Sequence, residues 1–332
     1  MLTYHNLLSK TKNSQEHKDL RIATIKKIES ITKRPLIVYA ANPNKMGFSV
    51  PNTIHNSDIV GFSDLIRTID SPDIDIFLYS PGGSAEAAER IVNLLRGNFK
   101  HIRFIIPDGA YSAATMLALC GDELLMDERS SLGPIDPQII ISSNKGTTSV
   151  AAQHILDGFD SIHQALKKDP NALPAYLPIL QKYDFHIFEI CKTAKKLSHI
   201  LAMTWLENYM LKELENKKEK AKEIADFLAN HQEHLSHGRS IDIKKCSNLG
   251  LKIVDLRNSP ELRDLVWELF CLIDILFDRS LIVKLFENSS GISWGRNYGE
   301  ILIPAEGMKL PNIPQPNLIQ PKINPKGKKR RR

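Results

Sequence analysis

The sequence predicts an α/β fold of repeated ββα/βαβ units followed by a helical C-terminal region, and three observations carry that expectation. Up to about residue 128, short β-branched runs alternate with amphipathic segments, the pattern of strands joined by helices into a largely parallel sheet. Beyond about residue 149 long helical periodicity takes over. Two small-residue turns also follow directly on strand-like runs, at the strand ends where open α/β sheets place their ligand sites.

The elements follow in order. From Gln15 to Lys33, Leu20, Ile22, Ala23, Ile25, Ile28 and Ile31 fall near helical spacing. RPLIVYAAN reads as the first strand, and SDIVGFSDLIRTI as a helix with Ser57 as its N-cap. DIDIFLYS (73–80) is a strand that runs into Pro81-Gly82-Gly83 and the helix SAEAAERIVNLLR. HIRFIIP (101–107) is a strand, DGAYSAATMLALC turns from loop into a short apolar helix, and ELLMDE (123–128) is another strand. SVAAQHILDGFDSIHQALKK, FHIFEICKTAKKLSHILAMTWLENYML and KELENKKEKAKEIADFLAN read as helices, the last a solvated one laced with i,i+4 pairs. SPELRDLVWELFCLIDILF is a late apolar helix opened by Ser259 with Pro260 at its first position, and LIVKLFE closes the fold as a strand. The expected division is one domain over 1–302 and a Pro-rich, basic, disordered tail over 303–332, where six prolines fall in thirty residues.

The 332 residues are 42% hydrophobic and 25% charged, a composition that builds a core and excludes fibrous or wholly disordered classes. The net charge of +6 suggests nucleic acid or an anionic surface only until it is located. Seven basic residues lie after position 321, so the rest of the chain carries −1, and any nucleic-acid contact is expected through that tail alone. Four dispersed cysteines without a CxxC pair argue against a zinc ribbon or a disulfide scaffold and point to a reducing compartment. No apolar stretch reaches the roughly 18–20 residues of a spanning helix, and the N-terminus lacks the features of a secretory signal. A cytoplasmic protein with no membrane span is the expectation.

The chemistry concentrates in the two turns. Ser80-Pro81-Gly82-Gly83-Ser84 exposes backbone N–H groups before a helix, where they meet developing negative charge. In Pro107-Asp108-Gly109-Ala110-Tyr111-Ser112-Ala113-Ala114-Thr115, Ser112 stands at the mouth of an apolar helix between residues too small to crowd a substrate. Ser112 is therefore a candidate nucleophile, with the Gly83 and Ala113 amides as candidate donors to one substrate oxygen. The plainer reading makes the glycines a tight turn and Ser112 a helix cap. Gly133 to Gln138, with two prolines around Ile135-Asp136, is a stiff corner, and Asp136 reads mainly as a turn carboxylate. His231, His234 and His237 recur at intervals of three, which invites a metal reading; an imidazole-bearing helix end before Gly238 is the simpler account, and no metal or other cofactor is expected.

LYSPGGSAEAAERIVNLLR and IPDGAYSAATMLALCGDELLMDERSSLGPIDPQI closely resemble the serine dehydrogenase proteinase family, in the Clp/crotonase-like superfamily with signal peptide peptidase and the Clp proteolytic subunit. HGRSIDIKKCSNLGLKIVDL (237–256) looks like a further element of that superfamily. The resemblance implies a Clp/crotonase-like fold and a serine peptidase in which Ser112 attacks a peptide carbonyl, with Gly83 and Ala113 as oxyanion-hole donors and Gly82 as turn-former. It also implies a polypeptide substrate and a homo-oligomer. No histidine lies between Ser112 and His154, where the Clp subunit has its catalytic histidine, so a Ser/Lys dyad is the expected form. Lys167, Lys168, Lys192, Lys195 and Lys196 are the candidate bases, with His154 beside them, and spacing does not choose among them. The alternatives are a crotonase-type acyl-CoA hydratase or isomerase, which needs carboxylates such as Glu86 or Glu89 near the loops, and a non-catalytic scaffold of the same fold.

Overall fold

The structure, a computed structural model, describes residues 3–11, 13–45, 50–143, 146–184 and 186–298. The expected tail over 303–332, with its boundary at 302 and its basic terminus, lies outside the described residues.

Twelve strands are described: β1 (Leu36–Ala41), β2 (Asp73–Tyr79), β3 (His101–Ile105), β4 (Gly109–Ala110), β5 (Glu123–Met126), β6 (Ser131–Leu132), β7 (Gln138–Ser143), β8 (Gly146–Ala151), β9 (Ile241–Asp242), β10 (Ile253–Asp255), β11 (Ile282–Asn288) and β12 (Ser293–Asn297). The main sheet has the order β10-β5-β3-β2-β1-β11-β12. Its first five members pair in parallel, while β11 and β12 close one side antiparallel. LIVYAA in β1 is buried at every position, as a strand covered on both faces requires. On one face the helices Ser14–Thr32 and Pro260–Arg279 pack through Ile25, Ile28, Leu269 and Ile273 onto Val38, Phe77 and Ile105. The other face takes the helices Asp58–Ile66, Ala85–Asn98 and Ala113–Leu119, which cover Tyr39, Ile76 and Phe104. The expected Clp/crotonase-like α/β architecture with a helical region after it is the one observed.

Three local expectations change. Ser57 precedes the Asp58–Ile66 helix in helical geometry and makes no capping bond; its hydroxyl pairs instead with His55 Nδ1 at 3.0 Å. Ser259 likewise gives its helix no side-chain cap, although Pro260 opens it as expected. The segment read as helix from Ser149 begins as β8, which forms a hairpin with β7 before the helix Ala152–Lys168. The β-branched runs in QIIIS and TTSVA carried that signal, and the helical periodicity downstream overrode it.

Candidate active site

Consecutive parallel neighbours β2 and β3 deliver both turns to the same edge of the sheet. The turns are stitched together by a parallel bridge between Ser80 and Ala110, with Ser80 N donating to Gly109 O at 3.1 Å and Tyr111 N to Ser80 O at 3.0 Å. Gly82 has φ +98°, and a Cβ there would sit 2.4 Å from Tyr111 O and 2.6 Å from Ser112 Cβ. Only glycine permits this approach. Gly83 pairs with Ile54: Ile54 N donates to Gly82 O at 2.7 Å and Ser84 N to Ile54 O at 3.0 Å. Ser84 then caps the Ala85–Asn98 helix by accepting from Ala87 N at 3.0 Å.

Ser112 occupies φ 56°, ψ −124°, a conformation that costs a non-glycine residue about 1–3 kcal/mol. It precedes the Ala113–Leu119 helix but makes no capping bond, and its hydroxyl has no hydrogen-bond partner among the described residues. The capping role therefore does not account for this serine. Ser112 O and Tyr111 O are taken by Met116 N and Ala114 N at 3.1 and 2.9 Å, whereas the Ala113 and Gly83 amides are absent from the backbone pairs of the described residues. Two unpaired donors thus flank an unpaired hydroxyl.

All three residues line one cleft of about 600 Å³, together with Thr53, Ile54, His55, Met116, Ile135, Pro137, Gln138, Ile140, Ala194, Leu197 and His237. The floor is apolar. Glu86 stands at its rim, exposed, accepting from Ser84 Oγ at 2.7 Å, while Glu89 does not line the cleft.

The segment from Gly133 to Gln138 forms the opposite wall. Thr115 on the serine helix donates to Ala110 O at 2.7 Å and Gly133 O at 2.9 Å, and Ile135 N donates to Leu228 O at 2.9 Å, so the corner is fastened to the serine loop and to the helix Lys217–Ala229. Asp136 is 2% exposed. His237 Nδ1 donates to its Oδ1 and His231 Nδ1 to its Oδ2, both at 2.7 Å, and Gln138 Nε2 adds a contact to Oδ2 at 3.0 Å. Burial alone would raise this carboxyl, but the bonds from His237 and His231 hold it below its ordinary range. Asp136 is therefore a carboxylate that orients imidazoles, and because residues 133–137 form no turn the expected turn role does not hold.

The candidate bases fall elsewhere. Lys167 and Lys168 end the Ala152–Lys168 helix, exposed, and Lys192 and Lys196 are exposed on the helix His186–Trp205. Lys192 pairs with Glu189 at 2.9 Å, and Lys195 with Gln153. His154 is exposed, its Nε2 2.8 Å from His231 Nε2. None of these six lines the cleft. His237, read from spacing as part of a helix end, does. The helix His231–His234 stops at Leu235, which has φ 63°, so His237 leaves the helical face its neighbours share and turns toward Asp136. The only sequence signal for this arrangement was the joint presence of a stiffened aspartate and a histidine one hundred and one residues later, and local patterning does not pair such distant groups.

A family model described as ClpP-like SDH-type serine proteinase matches residues 1–161. Two proteins of Methanocaldococcus jannaschii, each called uncharacterized, are similar: MJ0137, 25% identical over 259 residues (72% of this chain, 76% of that protein), and MJ1495, 28% identical over 203 residues (60% and 58%). Among solved structures, a 1510-N membrane-bound stomatin-specific protease superposes with a TM-score of 0.40 at 14% identity, covering 64% of this chain and 79% of that one. The ClpP catalytic domain of Plasmodium falciparum gives 0.34 at 14%, covering 71% and 91%. Residues 1–161, just under half of the chain, are thus similar to the ClpP-like SDH-type serine proteinases, and this stretch contains both the SPGG and the serine-loop motifs.

Proposed function

We propose that this protein is a serine peptidase in which Ser112 is the nucleophile, the Gly83 and Ala113 amides form the oxyanion hole, and His237, oriented by Asp136, is the proton acceptor. The observation that carries the reading is convergence: an unpaired hydroxyl on a strained backbone, two unpaired amides and a carboxylate-bound imidazole line one cleft. With its Nδ1 proton committed to Asp136, neutral His237 has Nε2 free to accept the Ser112 proton. Ser112 Oγ then bonds to the scissile carbonyl carbon and the carbonyl oxygen takes up negative charge against the two amides. Collapse breaks the C–N bond, the amine leaves with the proton from His237, and water repeats the sequence on the ester. Hydrogen bonds of this kind are commonly open before substrate arrives, so the unpaired Ser112 fits a resting site.

The cleft also speaks to substrate. Met116, Ile135, Ile54 and Leu197 would receive apolar side chains, which favours extended polypeptide segments of that character. The Ser/Lys form is set aside in this reading because its candidate lysines do not line the cleft. Homo-oligomeric assembly is part of the proposal, supported by Leu173 and Ile179 at 42% and 43% exposure on a helix that buries none of its residues. A reducing, cytoplasmic setting is supported by the four buried free thiols.

The test is mass-resolved labelling with a fluorophosphonate. The reading expects one adduct on the Ser112 peptide of the wild type, none in Ser112→Ala, and labelling slowed at least about a hundredfold in His237→Gln. A folded wild type that resists the probe would favour the non-catalytic scaffold, and saturable acyl-CoA binding without labelling would favour the hydratase class.

A further inference from the structure

Asp136 holds a second imidazole that the proposed reaction does not use. His231 is 6% exposed and takes carboxylate oxygen Oδ2, leaving Oδ1 to His237. On its other side His231 Nε2 faces His154 Nε2 at 2.8 Å, with the rings 4.2 Å apart and nearly perpendicular. An N···N contact of this length holds one proton. Because His231 Nδ1 must donate to a carboxylate, its neutral form presents Nε2 as an acceptor, and the bridging proton then resides on His154 Nε2.

We propose that His154 and His231 are positioning residues for the Asp136–His237 pair: the His154 Nε2–H anchors the His231 ring through its Nε2, His231 fixes Oδ2, and the carboxylate is thereby aimed at His237 through Oδ1. The proposal rests on the reading of His237 as the proton acceptor. Other charged groups nearby are engaged differently. His234 Nε2 bonds to Phe227 O at 2.8 Å, and Arg239 Nη1 donates to the carbonyls of Glu233 and His234, both at 3.2 Å. Without His231, the longer contact from Gln138 would alone restrain Oδ2. His154 is exposed and outside the cleft, which separates its influence on catalysis from any loss of core packing or substrate contact.

The experiment compares His154→Leu, which removes the donor, with His154→Gln, which restores an N–H of similar reach, in the full-length protein. Expected for His154→Leu is a roughly tenfold fall in kcat on an apolar peptide ester with KM unchanged, the size typical when an outer hydrogen-bond partner is lost, and recovery of most of that loss in His154→Gln. A wild-type kcat in His154→Leu, or a His154→Gln enzyme as slow as the leucine variant, overturns the proposal. A second readout is independent of activity: imidazole nitrogen shifts in ¹⁵N-histidine-labelled protein. His231 should be the Nδ1–H tautomer in both proteins, with its Nε2 at a hydrogen-bonded acceptor shift in wild type and at a free-acceptor shift in His154→Leu; an unchanged His231 Nε2 shift overturns the proposal. If the wild type shows no turnover, the peptidase reading fails on its own and the nitrogen shifts still decide the hydrogen-bond chain.

Discussion

The parallel sheet with its two turns and the segment from Gly133 to Gly238 build opposite walls of one cleft by different means. In the first, Gly82, Gly83 and Ser112 are held by strand register and backbone bonds a few ångströms long, above strands buried on both faces. In the second, the hairpin β7–β8 and the helices Ala152–Lys168 and Leu173–Leu180 bury little, and exposed apolar side chains such as Ile140 (63%) remain. There the functional groups are held by side chains: Thr115 on Gly133, and Asp136 between two histidines. Backbone-built geometry tolerates almost no substitution, whereas side-chain-built geometry should degrade in steps and respond to pH.

The sharpest expected contrast is at the turns. Ser112→Ala should abolish peptide-ester hydrolysis and probe labelling, a loss of at least about 10³-fold in kcat, with unchanged circular dichroism. Gly83→Ala should come close to it, because the new Cβ would meet Ile54 N and O at 2.4 Å and displace the amide; one lost oxyanion donor alone costs about 10²–10³-fold. If Gly83→Ala retained wild-type kcat, the turn would not be the rigid wall described. Across the cleft, Asp136→Asn should lower kcat about 10²–10⁴-fold while leaving KM near wild type, since the amide can impose the wrong His237 tautomer.

Stability separates the regions again. Beneath the Ile54 wall, Lys284 is 1% exposed and its ammonium bonds to both Asp58 oxygens at 2.8 Å and to Thr53 O at 2.7 Å. Lys284→Met takes the buried ammonium from the Asp58 carboxylate, leaving it Tyr39 Oη, His55 N and the more distant Arg296, and should destabilise the fold by about 3–5 kcal/mol, read as a lowered midpoint in urea. Asp136 has a depressed pKa, so the stability it contributes is present above the ordinary carboxyl range and lost as pH falls through its own lower value. Acid unfolding of Asp136→Asn should therefore be shallower below about pH 4 than that of wild type; parallel curves would mean that the imidazoles do not stabilise the ionised form. Smallest of all, Lys167→Ala, Lys168→Ala and Lys192→Ala should change the labelling rate less than about twofold, and a large loss at any of them would return the base to lysine.

What was legible in the sequence follows the same division. The continuous apolar run LIVYAA and the β-branched, aromatic DIDIFLY announce buried parallel strands, and their register brings the two turns together without further information. The Asp136–His237 pairing was not legible because it depends on where a four-residue helix stops, and Leu235 in a left-handed conformation is no standard terminator. The three histidines at regular spacing suggested a shared helical face, which that early stop abolishes. Lys167 and Lys168 could not be separated from the other candidate lysines by spacing, and both lie exposed at the end of the helix Ala152–Lys168 that follows the unforeseen hairpin.

The most direct test of the account is a crystal structure of the fluorophosphonate adduct. It predicts phosphorus bonded to Ser112 Oγ, the phosphoryl oxygen about 3 Å from both Gly83 N and Ala113 N, and His237 Nε2 within hydrogen-bond reach of Ser112 Oγ. An adduct whose phosphoryl oxygen points away from those amides, or a lysine Nζ in the place assigned to His237, would contradict it.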